Sequence, residues 1–162
     1  EIPAGSIVGL IGENGAGKTT LLKLLTGAPV PHSGTVSVGS GLVISYVPQD
    51  ASHLQGLLSD YAREHRLDES LFKAILRKLD FERVMFEKDI RDFSGGKKKK
   101  VLLAGSLCER AHLYIWDEPL NYIDVLSRIQ IEELILSFRP TLLFVEHDAA
   151  FSRNVATRAV CM

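Results

Sequence analysis

The run Gly12-Glu13-Asn14-Gly15-Ala16-Gly17-Lys18-Thr19-Thr20 sets glycines, a lysine and threonines at the spacing G-x-x-x-x-G-K-[ST]. That spacing suits an anion. Glycines let the backbone wrap around a phosphate, so that successive N–H groups and the N-terminus of the following helix point at it. Lys18 adds a positive charge for β- and γ-phosphates, and the Thr19 hydroxyl is a ligand for Mg²⁺. A glycine-rich turn can also merely cap a helix. The position of this one, after an apolar run and before a helical pattern, favours the phosphate site.

A second polar cluster follows another apolar run. Leu113-Tyr114-Ile115-Trp116 ends in the adjacent carboxylates Asp117 and Glu118. At a strand tip Asp117 holds Mg²⁺ through water, while Glu118 reaches the γ-phosphate side and polarises an attacking water. Gln49 follows Tyr46-Val47-Pro48 and His147 follows Leu143-Phe144-Val145-Glu146, so each also stands at the end of a strand-like run. A lone histidine more often has a structural role, and His32, His53, His65 and His112 are read that way. Cys108 and Cys161 read as small core residues.

The elements that must position these groups alternate. Ser6–Ile11 has the continuous apolar character of a buried parallel strand. The helix expected over Lys18–Thr26 carries Leu21, Leu22, Leu24 and Leu25, with Gly27 as its stop. Thr35–Val38 and Leu42–Val47 are β-rich runs around a Gly39-Ser40-Gly41 turn. Leu71, Phe72, Ile75, Leu76 and Leu79 form a helical stripe, and a further helical run covers Lys97–Cys108. After Leu113–Trp116, the residues Ile131, Leu134, Ile135 and Phe138 recur at helical spacing until Pro140, and Thr141–Val145 is another strand. Strand and helix in alternation predict an α/β fold with a mainly parallel sheet flanked by helices, in which ligands sit at the C-terminal strand ends. The whole chain, residues 1–162, is expected to be one truncated domain, with a helical subdomain over about 51–110.

Composition narrows the class further. The chain has 162 residues, a net charge of −1, 46% hydrophobic and 24% charged residues, the profile of an ordinary globular domain. A nearly neutral chain does not coat nucleic acid, although a local basic patch remains open. No apolar run approaches the roughly 18 residues of a membrane span, and no signal-peptide pattern opens the chain. Two cysteines without C-x-x-C spacing fit a reducing compartment rather than a disulfide framework or zinc site, so a cytoplasmic location is expected. The first residue is Glu1 and a core strand starts at position 6, which reads as a piece cut from a longer protein.

Phe93-Ser94-Gly95-Gly96-Lys97 completes an ordered set with the Gly12–Thr20 loop, Gln49, Asp117-Glu118 and His147, and this set resembles the ATP-binding cassette (ABC) ATPases. The resemblance spans Gly12 to His147, nearly the whole chain. It implies a P-loop NTPase fold, ATP and Mg²⁺ as ligands, and a second cassette, from the same chain or a homodimer, closing head-to-tail on two ATP molecules. By that resemblance Gln49 senses Mg²⁺ and the attacking water, Glu118 is the general base and His147 contacts the γ-phosphate. Ser94, Gly95 and Gly96 bind the partner's nucleotide, and Asn121 and Asp124 lie in the segment crossing the interface. The family usually has Gln or Glu where Lys97 stands. Here Lys97 opens a run of four lysines to Lys100. Cations there oppose the helix dipole by a few tenths of a kcal/mol each. The run is expected to be a solvated helix face, with contact to phosphate or RNA backbone as the alternative. The family's adenine-stacking aromatic, which precedes the first strand, is not present in the chain.

The stretch Glu118-Pro119-Leu120-Asn121-Tyr122-Ile123-Asp124 is similar to the form found in the ABC-F group, tandem cassettes that bind ribosomes and lack membrane domains. From Phe93 to Asp148 the chain looks like the second cassette of the ABC-F proteins of lincosamide, streptogramin and pleuromutilin resistance. That resemblance implies an ATPase, weak as an isolated domain, acting on the ribosome and its RNA through the parent protein. The alternative is the nucleotide-binding subunit of an exporter with a transmembrane partner. Cassettes interrupted by a long coiled coil do not fit, because only residues 50–93 separate Gln49 from Ser94.

Overall fold

A computed structural model describes residues 1–162. Five strands, β1 (Ile7–Ile11), β2 (Ile44–Val47), β3 (Leu113–Asp117), β4 (Leu142–Val145) and β5 (Arg158–Cys161), form one sheet in the order β2-β3-β4-β1-β5, with every pairing parallel. Parallel neighbours require crossovers, and helices supply them. Strands β1 and β4 pair Ile7 with Leu142 through Leu10 with Val145, so the loops after both strands open at the same edge of the sheet. The loop after β3 joins them there, since Asp117 pairs with Val145. The chain has the mainly parallel α/β fold of the P-loop NTPases.

Helix α1 (Lys18–Leu25) starts at Gly17, whose φ of 92° is open to glycine and costly for other residues. No side chain caps this helix, so its first N–H groups face the loop ahead of it. Its other side buries Leu22 against Val8, Leu10, Ile115, Leu143 and Val145 on one face of the sheet. Burying such a leucine contributes about 2 kcal/mol.

The larger core lies on the other face. There Ile7, Trp116, Leu142 and Phe144 pack against α4 (Gly95–Cys108), α5 (Val125–Phe138) and the helical stretch between β2 and α4, including Phe72 and Leu76 of α3 (Glu69–Lys78). A short helix, α2 (Leu58–Glu64), precedes α3, and two 3₁₀ turns at Arg83–Glu87 and Ile90–Asp92 lead into α4. Helix α4 is buried on nearly all sides, which accounts for its lack of a polar stripe. The hydroxyl of Ser106 on α4 accepts from Trp116 Nε1 (2.9 Å) and meets the Ser45 hydroxyl (2.8 Å), tying the helix to β3 and β2. Short polar side chains stop and start the helices. Asp68, Ser94, Asp124 and Asp148 cap α3, α4, α5 and α6 (Ala149–Val155), and Arg139 ends α5 in a left-handed turn before Pro140.

Several expectations need correction. Thr35–Val38 is not a strand: no neighbouring strand offers it a ladder, and Val36 and Val38 are exposed. The run Leu42–Val47 pairs only from Ile44 onward. Leu71 and Phe138, counted in the apolar stripes, lie on solvent. Cys161 is exposed on edge strand β5, not a core residue, and Cys108 is half-buried. The lysine run is not a solvated face either: Lys99 and Lys100 are buried, and Lys97 and Lys98 are half-buried.

Candidate active site

The loops after β1, β2, β3 and β4 converge on one open cavity of about 520 Å³, lined by Asn14, Gly15, Gly17, Lys18, Thr19, Thr20, Gln49, Glu118 and His147. None of these side chains is apolar, as suits a polyanion rather than an aromatic or lipid ligand. Lys18 is buried in the first turn of α1, and its ammonium donates to the carbonyls of Gly12 and Glu13, each at 2.7 Å. Ala16 N donates to the Glu13 carbonyl at 3.2 Å, which closes the loop on itself.

Glu118 is the best-connected side chain here. Its Oε2 accepts from Gln49 Nε2 at 2.9 Å and from Asn121 Nδ2 at 2.5 Å. Its Oε1 lies 3.4 Å from His147 Nε2. The residue itself has φ 47°, a left-handed value uncommon outside glycine and held here by a hydrogen bond from its N–H to the Val145 carbonyl (2.9 Å). Three loops, those after β2, β3 and β4, therefore meet at one carboxylate. Glu146 holds the His147 segment in turn, its carboxylate accepting from the backbone N–H groups of His147 (2.8 Å) and Leu120 (3.0 Å).

Asp117 ends β3 fully buried. Its Oδ1 accepts from the Thr19 hydroxyl at 3.3 Å, while its Oδ2 has no hydrogen-bond partner. Burial pushes its pKa up, against the hydrogen bond from Thr19, because a carboxylate loses hydration there. A buried carboxylate oxygen with no donor beside the Thr19 hydroxyl is a donor set that fits a hard dication such as Mg²⁺.

Ser94, Gly95 and Gly96 are not brought into this cavity. They open α4, where Ser94 Oγ accepts from Lys97 N at 3.3 Å and the glycines pack on Tyr122. Asp124 lies beside them and pairs with Lys100 at 2.7 Å. Sequence reasoning placed Asn121 at an interface between cassettes, and the structure adds its amide contact to Glu118. It missed Lys99 and Glu146. The signal for Lys99 was faint: in a run of four lysines, helical phase alone does not tell which one points inward. Lys99 Nζ donates to the carbonyls of Pro48 (2.7 Å), Gln49 (2.8 Å) and Asp117 (3.5 Å), and burial pulls its pKa down to about 8. Of the histidines read as structural, His112 accepts from Val43 N at 3.0 Å, joining β3 to the start of β2.

A glycine-lined loop between β1 and α1, a metal-suited Asp at the tip of β3 and a carboxylate beside it define a nucleotide-binding P-loop cassette. The chain belongs to the ABC transporter family, whose model matches residues 1–121. It is 33% identical over 165 residues to the ATP-binding protein Uup of Buchnera aphidicola, covering 97% of this chain and 28% of that protein. It is 31% identical over 167 residues to ABC transporter F family member 2 of Arabidopsis thaliana, covering 98% of this chain and 24% of the relative. The chain thus spans about a quarter of the curated relatives it matches. Among solved structures it resembles a chain of the complex of archaeal ribosomal stalk protein aP1 with archaeal ribosome recycling factor aABCE1. The TM-score is 0.85 at 29% identity, covering 99% of this chain and 32% of that one. It also resembles an ATP-binding subunit of an ABC transporter, with a TM-score of 0.80 at 25% identity, covering 98% and 75%. No helix of the chain is long and apolar enough to cross a membrane.

Proposed function

We propose that this cassette hydrolyses ATP and works as one half of a head-to-tail pair of cassettes in an ABC-F protein that acts on the ribosome. The observation that carries the hydrolytic part is the placement of Glu118 in the cavity of the phosphate loop. With Oε2 taken by the two amides, Oε1 accepts the proton of the attacking water, and the His147 ring beside it contacts the γ-phosphate. Lys18 turns its ammonium from the loop carbonyls to the β- and γ-phosphates, and the N–H groups at the start of α1 bind the same oxygens. Thr19 and Asp117, with Gln49, would hold Mg²⁺, which supplies charge neutralisation on the phosphates. The remaining work is positioning, since the step is an in-line displacement by water.

The paired state is supported by the one feature the cavity lacks. Ser94, Gly95 and Gly96 lie outside it, at the capped N-terminus of α4, where the exposed Ser94 and Gly95 can complete the site of a second cassette. The ribosomal reading is supported by the Glu118–Asp124 stretch and by relatives that include an F family member. It is further supported by the likeness to a chain crystallised as a ribosome recycling factor complex. Ribosomal protection against lincosamide, streptogramin and pleuromutilin antibiotics is the finer form of this reading, resting on the Phe93–Asp148 resemblance. The second reading, the motor subunit of a membrane exporter, is favoured by the likeness to an ABC transporter subunit.

The deciding experiment uses the intact protein carrying Glu118→Gln, with the matching change in its other cassette. Sedimentation with purified ribosomes in Mg-ATP, and not without it, supports the ribosomal reading. ATP binding without sedimentation moves the assignment to the exporter.

A further inference from the structure

We propose that Lys99 is a positioning residue for hydrolysis, fixing Gln49 and Glu118 relative to each other by gripping the backbone beside each of them. The inference rests on the hydrolytic reading above and adds to it a residue outside the cavity.

Lys99 is 1% exposed, and its ammonium reaches three carbonyls on two segments. Those of Pro48 (2.7 Å) and Gln49 (2.8 Å) flank the loop after β2, and that of Asp117 (3.5 Å) belongs to the peptide bond leading into Glu118. An ammonium has three protons to donate, so the three acceptors match its whole capacity. A lysine is almost never buried this far without partners, because its charge must give up its hydration. Core stability does not require one at this point: its neighbours Val101, Leu102 and Leu103 bury apolar side chains on the same helix. What the ammonium does that a leucine cannot is cross-link two loops. The side chains of those loops, Gln49 and Glu118, meet at 2.9 Å.

The grip also has a source. Lys99 sits on α4, five positions after the cap Ser94, within the rigid run that begins at Gly95. A shift of the α4 N-terminus therefore carries the Lys99 ammonium with it and moves the Gln49 and Asp117 carbonyls. Whatever docks on Ser94–Gly96 thereby has a route to Glu118 through Lys99, beside the one that runs through Tyr122 and Asn121.

The test compares steady-state hydrolysis and nucleotide binding by the intact protein with those of Lys99→Met, which keeps the bulk and removes the donors. Misplacing a reacting group by about 1 Å costs up to roughly 100-fold in rate. The expected result is a fall in kcat of about 10- to 100-fold, with KM and the Kd of a fluorescent ATP analogue within about twofold of wild type. In a Gln49→Ala background the same change should add little, because both act on one pair. Lys99→Gln, which retains N–H donors, should recover part of the rate, and it carries the same reading if Lys99→Met does not fold. A kcat within twofold of wild type overturns the proposal. So does a loss shared equally by nucleotide affinity, or one that multiplies with that of Gln49→Ala. Wild-type protein that binds ATP and does not hydrolyse it strikes instead at the hydrolytic reading, and is seen before any Lys99 variant is assayed.

Discussion

A Cβ built on Gly96 would lie 2.3 Å from the carbonyl oxygen of Tyr122. Glycine at this place is a packing requirement within the chain, whatever further contact it makes with a nucleotide. The backbone of the Asn121–Asp124 turn rests directly on the first turn of α4, and Tyr122 takes φ 63° to get there while the residue as a whole remains 85% exposed. The turn that follows the Asp117-Glu118 pair and the glycine turn that precedes α4 are therefore one packed unit.

Gly96→Ala is expected to destabilise the fold by about 1–3 kcal/mol, the usual cost of overpacking, because a backbone carbonyl cannot step aside as a side chain can. Gly95→Ala is the internal control. Its nearest neighbour is the Tyr122 ring at 3.7 Å, an ordinary contact, so its stability should stay within about 0.5 kcal/mol of wild type. Urea unfolding of the two variants should separate these neighbouring glycines.

Glu118→Gln should lower ATP hydrolysis about 10²- to 10⁴-fold and leave ATP binding intact, since the amide keeps the size of the side chain and loses the proton acceptor. A residual turnover above half of wild type would remove Glu118 from its assigned role. Single-turnover assays with radiolabelled ATP read this directly.

Asp117→Asn should separate stability from metal dependence. The buried Oδ2 has no donor, so replacing the charge relieves a desolvation penalty and the ligand-free protein should melt no lower than wild type. The rise in melting temperature produced by Mg²⁺ together with ATP should shrink sharply. Thermal shift with and without EDTA tests both halves. A variant that unfolds without ligand and keeps its Mg²⁺ response contradicts the reading.

Asp124 gives a pH signature. Partial burial raises its pKa, but hydrogen bonds from Lys100 and Ser127 and the Lys100 charge outweigh this and hold the carboxyl well below the usual carboxylate range. A carboxyl depressed in the folded state binds its proton more readily when unfolded, so its contribution is complete above the unfolded pKa of about 3.9 and is lost as pH falls through the folded value. Asp124→Asn should therefore be less stable than wild type by a constant margin between pH 5 and 8, closing below about pH 4. Denaturant titrations across that range supply the margin. One that stays open in acid removes the Lys100–Asp124 pair as its cause.

The sequence by itself determined the candidate groups that the structure brings together and the strands that present them. The Gly12–Thr20 loop, Gln49, Asp117-Glu118 and His147 each follow an apolar run, and a parallel sheet brings strand ends of that kind to one edge, so spacing and hydrophobic pattern were enough. Thr35–Val38 shows the limit of the same logic: β propensity without a neighbouring strand to complete its hydrogen bonds does not make a strand. Only the tertiary structure decided which lysine of Lys97–Lys100 reaches the carbonyls of the loops after β2 and β3, and that Gly96 is needed beneath the Tyr122 carbonyl. It also decided that Oε2 of Glu118 is shared by two amides from different loops. Those relations join residues 3 to 69 positions apart, and the grip of Lys99 and the packing of Gly96 depend on backbone carbonyls, which every residue has alike. A sequence records side chains, and it does not say which carbonyl will stand where a buried ammonium needs an acceptor.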